Sequence, residues 1–116
     1  MKRKPELYLK DILASMQAIE GFVQDVEFKD FKVNDEKSSA VIRKFEVIGE
    51  AAKNVPEEVK RKYPETSWRD MMGMRDKLIH FYFGVNYEIV WQTIKDIIPQ
   101  IKPLIQNILL DLQKGK

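Results

Sequence analysis

The stretch Arg-Asp-Lys-Leu-Ile-His-Phe-Tyr, residues 75–82, gathers the side chains of this chain best suited to chemistry. His80 is the only histidine, and imidazole is the one side chain whose ordinary titration falls near neutrality. Arg75 stands five residues before it, Asp76 four before it, and Tyr82 two after it. The chain has no cysteine, so neither a disulfide nor a thiolate metal site can form, and one histidine cannot build a multi-histidine zinc site. Catalysis then has to run on carboxylates, Arg, Lys, Tyr and His80, and neither a metal nor a cofactor is expected.

The elements that position these residues read as helices. Glycine is scarce, no segment alternates apolar and polar residues for long, and most apolar residues recur at helical spacing, so the fold is all-α. A first helix is predicted from about Pro5 to Val26, with Tyr8, Ile12, Met16, Ile19 and Val23 as its apolar stripe and Pro5 in the first turn. The stretch EFKDFKV reads as a connection. Asn34 or Asp35 then caps a second helix reaching about Asn54, whose Val41, Phe45, Ile48 and Ala52 form a core face. Arg43, Glu46 and Glu50 share an arc of roughly 60° on its other side, as a solvated charge ladder or as something more specific. Pro56 opens a short helix that Pro64 ends, and Thr66 or Ser67 caps a third helix running through WRDMMGMRDKLIHFYF to Gly84. Asn86 caps a fourth, which Pro99 and Pro103 should kink or divide. The expected architecture is an antiparallel four-helix bundle with one additional short helix, and Gly49 and Gly73 are expected to let helices approach closely.

A continuous third helix fixes the geometry of the motif. With Arg75 at zero on the wheel, Tyr82, Met71 and Leu78 fall on its side, so Arg75 faces the apolar flank and requires a carboxylate or phosphate nearby. His80 falls about 140° away with a rise of about 7.5 Å, beside Asp76 and Arg69 on a polar edge. Either the arginine curls round the helix, or a two-fold dimer sets this edge of one chain against that of the next and makes a cluster of two Arg and two His.

At 116 residues the chain is expected to be one domain, residues 1–116, with no internal repeat or linker. Neither a leader nor a bilayer-spanning run is read, so a cytoplasmic protein with no membrane partner is expected. The 20 basic and 18 acidic residues leave a net charge of +2, too mild to identify a nucleic-acid binder. MKRK at the start, KRK at 60–62 and KGK at the end are basic clusters, solvated charge in one chain or patches in an assembly.

The segment RKFEVIGEAAKNVPEEVKRKYPETSWRDMMGMRDKLIHFYFGVNYEIVW, residues 43–91, resembles the HepT-type toxins, small HEPN-family ribonucleases of prokaryotes. FEVIGEAAKNVP, YPETSW, GMRDKLIH and YFGVNYEIVW, in that order, carry the resemblance, and the RDKLIHFY segment is similar to the family's R-x4-H-x-Y signature. The resemblance implies a helical bundle that dimerises with the motifs of both chains in one cleft, and a metal-independent endoribonuclease acting as the toxin of a toxin–antitoxin pair. It makes Arg75 and His80 the catalytic pair. It makes Tyr82 the residue to which a minimal nucleotidyltransferase antitoxin transfers AMP. Asp76 holds a position where the family has Asn or Asp, while Phe81 stands where a more polar residue is common.

Ribonuclease chemistry suits these residue types. RNA carries its own nucleophile, the 2′-hydroxyl, so cleavage to a 2′,3′-cyclic phosphate requires a group titrating near neutrality and fixed positive charge on the phosphorane-like transition state. His80 and Arg75 supply these in turn. Asp76 either orients the imidazole or pairs with Arg69 or Lys77. A rival expectation is a non-catalytic HEPN-like subunit that binds nucleotide or RNA and docks a nucleotidyltransferase. A purely structural helical oligomer is a third.

Overall fold

The computed structural model describes residues 3–80 and 84–115, with the side chains of Arg75, Ile79 and His80 outside the described part. The fold is all-α. Helix α1, Pro5–Val23, has Pro5 in its first turn and buries Leu9, Ile12, Ser15, Met16, Ile19 and Val23. Leu9 rather than Tyr8 occupies the buried stripe, and Tyr8 packs on its margin. The helix stops three residues before the expected point, where Asp25 takes a left-handed conformation (φ 61°) and turns the chain. Its last turn has no basic residue of its own, and Lys37 Nζ donates to the Phe22 carbonyl at 2.7 Å instead.

The segment expected to be a connection contains a helix, α2, Phe28–Val33. Six residues are too few to reveal a period, yet Phe28 and Phe31 stand three apart, and burial of Phe31 at 0 % exposure fixes the turn against the core. Asn34 ends α2 and caps α3, Asp35–Asn54, by accepting from the Lys37 N–H at 2.9 Å. Val41, Phe45, Ile48 and Ala52 are buried as the spacing predicts. A Cβ on Gly49 would lie 3.2 Å from the Met71 carbonyl oxygen, so this glycine does permit a close helix approach.

After Pro56 comes α4, Glu57–Lys62, the short helix expected between the second and the third, and α2 is a further one. Tyr63 is buried. Its hydroxyl donates to Asp111 Oδ2 at 3.1 Å and its carbonyl accepts from Trp68 Nε1 at 3.0 Å. The third helix is not continuous. It divides into α5, Trp68–Met72, and α6, Met74–Leu78, with Gly73 between them, and the chain then forms β1, Ile79–His80, antiparallel to β2, Gly84–Val85. A Cβ on Gly73 would meet only the Arg69 carbonyl, at 3.5 Å, which is ordinary contact, so Gly73 marks a break rather than a close approach. Neither expected capping side chain acts as one. Ser67 makes no side-chain cap bond, and Thr66 Oγ1 is buried without a partner among the described residues.

Asn86 caps α7, Tyr87–Gln92, by accepting from the Ile89 N–H at 3.1 Å. A π-helical turn, Thr93–Ile97, leads into α8, Ile98–Lys114. Pro99 falls in the first turn of α8, where the missing N–H costs little, whereas Pro103 lies inside the helix without dividing it. Helix α1 packs against both α3 and α8, and α3 packs against α5 and α6. The buried side chains of these helices form one apolar cluster. Among the described residues no helix is long and apolar enough to cross a membrane.

Candidate active site around residues 75–85

Short elements position the motif. The break at Gly73 (φ −93°, ψ 3°) resets the helix so that Met74 and Leu78, four apart, are both buried. Between them Arg75, Asp76 and Lys77 complete the turn, with Asp76 and Lys77 exposed. The helix cannot continue beyond Leu78, because the Leu78 carbonyl accepts from the Asn86 N–H at 3.2 Å. Ile79 then pairs with Val85 and His80 with Gly84. Gly84 has a φ of +82°, the left-handed region that glycine enters without steric cost. The reversal between β1 and β2 thus closes on a glycine.

This corrects the wheel geometry. The angle of 140° and rise of 7.5 Å assumed one α-helix through residue 83. Since the helix ends at Leu78, Arg75 sits on a helix and His80 on an extended strand held by Gly84. The structure brings the backbones of Arg75 and His80 into one compact unit, while the orientation of both side chains lies outside the described residues, as do Phe81 and Tyr82. Of the proposed site side chains, Asp76 alone is described, exposed on α6.

Three open cavities surround this unit and the neighbouring face of α3. One, of about 290 Å³, lies between α2 and the β2–α7 junction, lined by Phe28, Lys32 and residues 84–88. A second, of about 170 Å³, is lined by Ser38, Ser39, Arg43 and Glu46 of α3 and by Val85 and Tyr87. A third, of about 390 Å³, joins α3 to the start of α1, and Arg43 and Glu46 line both of the last two. Arg43 Nη1 stands 3.5 Å from Glu46 Oε1 with the arginine largely exposed, a pair of the solvated kind that i, i+3 spacing allows. Glu50 is also exposed.

The KRK cluster at 60–62 does not form a uniform basic patch. The Lys60 side chain is 9 % exposed, its Nζ 3.5 Å from Met72 Sδ and 3.8 Å from Glu57 Oε2, while Arg61 and Lys62 are exposed. The buried ammonium ties α4 to the end of α5. Tyr63 beside it has its hydroxyl pKa raised above the ordinary value of 10, by burial first and then by the Asp111 carboxylate it bonds.

What sequence reasoning missed lies on α2 and α7. Phe31 is 5.1 Å from Trp91 and 6.5 Å from Tyr87 between ring centroids, and Phe28 is 5.9 Å from Trp91. Lys32 lies over the Phe28 ring at 6.0 Å and Lys95 over the Trp91 ring at 4.7 Å. The available signal was the pair of phenylalanines three apart in EFKDFKV, alternating with lysines. Among the described residues no group of three or more His, Asp or Glu is placed to hold a metal ion.

Comparison with known proteins places these features in a lineage. The family described as Ribonuclease HepT-like matches residues 12–108, from the buried face of α1 to that of α8. The chain is 48 % identical over 108 residues to a Thermococcus cleftensis protein named "Probable ribonuclease HepT", covering 93 % of this chain and 98 % of that one. It is 45 % identical over 113 residues to "Putative RNase MJ0125" of Methanocaldococcus jannaschii, with 97 % of each covered. It is 41 % identical over 107 residues to "Putative RNase TTE0752" of Caldanaerobacter subterraneus, covering 92 % and 96 %. No solved structure matches. A match spanning every long helix, with relatives aligned almost end to end, means that the chain belongs to the ribonuclease HepT-like family.

Proposed function

We propose that the chain is an endoribonuclease and the toxin of a toxin–antitoxin pair, with Arg75 and His80 as its catalytic residues. The observation that carries this is the presence of the Arg75–His80 pair in a chain of a ribonuclease family whose named relatives align along nearly their whole length. The reaction is transfer of the 2′-hydroxyl oxygen onto the adjacent phosphorus, with the 5′-oxygen leaving and a 2′,3′-cyclic phosphate formed. His80 moves the proton at one of these oxygens, taking it from the 2′-hydroxyl or giving it to the leaving 5′-oxygen, and solvent exchanges the proton at the other. Arg75 holds the equatorial oxygens of the phosphorane through its planar fork of donors. Asp76, exposed in the same turn as Arg75, is the supporting residue in this reading. Because RNA supplies the nucleophile, no step calls for a metal-activated water.

Two chains together complete the site in this reading. A two-fold dimer sets two Arg75 and two His80 about one cleft, so that one chain offers the acid–base group and the other the anion-holding charge. Tyr82, two residues beyond His80, accepts AMP from a nucleotidyltransferase antitoxin. The adenylyl group adds bulk and a negative phosphate beside the guanidinium, and competes with RNA for it.

The test is cleavage of total cellular RNA in EDTA by wild type, Arg75→Ala and His80→Ala, with product ends mapped and Tyr82 shown to be unmodified by intact mass. Cleavage by wild type alone, leaving cyclic phosphate, is the expected result. Equal cleavage by either variant would remove that residue from the catalytic pair, and inactivity of all three would favour a binding subunit that does not cut.

A further inference from the structure

The aromatic and cationic surface formed by α2 and α7 is not accounted for by the motif. The cavity there is about 290 Å³ and opens against the strand that pairs with His80. Phe28 and Tyr87 line it, each partly buried, and Lys32 stands exposed at its rim. Behind them Phe31 and Trp91 fill the core side, Phe31 at 0 % exposure and edge-on to Tyr87 at 82°. The lining rings are therefore backed by packed rings, which leaves them little freedom to lose when something stacks on them. Gly84 contributes bare backbone, and a Cβ there would meet nothing within 4 Å.

The charges around the cavity are divided. The contact described for the Lys32 ammonium is with the Phe28 ring, and its side chain is exposed. Glu88 adds one carboxylate to the lining. An acidic group beside aromatic rings makes a poor phosphate site and a suitable one for a base, whose edges carry donors, while Lys32 at the rim suits a flanking phosphate. Aromatic faces joined to flanking cations are the means by which single-stranded nucleic acid is held with its bases stacked on protein.

We propose that this cavity is a nucleobase subsite, in which a base of single-stranded RNA near the cleaved phosphate stacks on Phe28 and Tyr87 while Lys32 pairs with a flanking phosphate. The inference rests on the ribonuclease reading for the word "cleaved" alone; the stacking site depends on α2 and α7. The subsite selects the strand form of the substrate. A base inside a duplex cannot present its face to Phe28, so paired RNA is bound less well than single strands.

The experiment uses a fluorescein-labelled 2′-O-methyl oligoribonucleotide, which cannot form the cyclic phosphate and so separates binding from cleavage. One position carries 5-iodouracil, which crosslinks to aromatic side chains under ultraviolet light. Anisotropy is measured with the full-length wild type, Phe28→Leu, and the exposed-site variant Lys32→Glu, which leaves the core untouched. Wild type is expected to bind and to crosslink through Phe28 or Tyr87, and each variant to bind about tenfold more weakly. Unchanged affinity of Lys32→Glu, crosslinks confined to other residues, or no binding by wild type would each overturn the subsite, the last being the result if the cavity received a protein side chain. Cleavage of unmodified RNA is followed in parallel. Phe28-dependent binding without cleavage leaves the subsite and removes the catalytic reading, whereas cleavage with binding indifferent to Lys32 and Phe28 does the reverse.

Discussion

The α1–α3 pair and the segment from residue 68 to residue 85 solve opposite problems. The former consists of helices of 19 and 20 residues, one opened by a proline and the other capped by Asn34, meeting through fully buried Ile12, Met16, Phe45 and Ile48. The latter has helices of five residues each, a break, and a two-residue strand pair closed on a positive-φ glycine. Helices that short have almost no stability alone, since nucleation is the costly step. The segment is therefore held by what it packs on, through Trp68, Met71, Met74 and Leu78. Stability resides in the first region, and the candidate chemistry is carried on the second.

If that division holds, substitutions should separate cleanly by their readout. His80→Ala is expected to lower RNA cleavage by about 10²- to 10⁴-fold, the usual worth of a positioned acid–base group, with the denaturation midpoint unchanged. A large midpoint shift would mean that the segment also carries the fold. Phe45→Ala should do the converse, costing about 3–5 kcal/mol in denaturant unfolding by opening a cavity in the core. Gly49→Ala probes the seam between the two regions. Its new methyl meets the Met71 carbonyl at 3.2 Å and displaces α5, while alanine gains about 1 kcal/mol of helix propensity in α3. Stability is then expected to change by less than about 1 kcal/mol while cleavage falls about tenfold through displacement of the motif. Equal losses in both would show the two regions to be one unit.

Smaller effects sharpen the comparison further. Asn34→Ala removes the cap of α3 and should cost about 1 kcal/mol of global stability. Asn86→Ala removes the equivalent bond from α7, next to the strand pair, and should show first as faster hydrogen exchange of the Asn86 amide that closes on Leu78. The smallest effect is at high pH. Because burial and Asp111 raise the Tyr63 pKa in the folded state, the unfolded chain ionises first, and stability present below pH 10 is lost as pH rises past it. In an ultraviolet titration Tyr63 should ionise above the ordinary tyrosine value of 10, and Asp111→Asn should bring it back towards that value.

Legibility in the sequence followed the same division. The long helices, the Asn86 cap, the α3 cap as one of two neighbouring residues, and the core faces of α3 and, Tyr8 apart, of α1 were readable, because 20 residues give several turns over which a period is unmistakable. Helix α2 was missed because six residues give fewer than two turns. The third helix was overextended for a different reason. Met71, Leu78 and Tyr82 continue a helical stripe, so local pattern favoured helix where the bond from Asn86 to Leu78 and the pairing with Gly84 favoured a reversal. The residues themselves carried a contrary signal, since IHFYFGV is rich in β-branched and aromatic types and ends near a glycine. The motif was legible as a spacing and as a resemblance. Its geometry was not, because three side chains within eight residues state nothing about the element that bears them.

The π-helical turn at Thr93–Ile97 has a consequence for how one rod serves two neighbours. Buried residues run Val90, Ile94, Ile98, then Ile101, Ile105 and Ile108, and two successive steps of four would drift off one α-helical face by about 80°. The widened turn takes up that drift, and the Thr93 hydroxyl donates at 2.7 Å to the Ile89 carbonyl, which also accepts the Thr93 N–H. It works as a phase adjuster between α7, which borders the motif, and α8, which packs on α1. Deleting a single residue there would restore a regular helix and rotate one half against the other, so either the isoleucine face or the Tyr87–Trp91 face would be turned out of register. The length of this turn is thus part of the specification of the site, although no residue in it need touch a substrate.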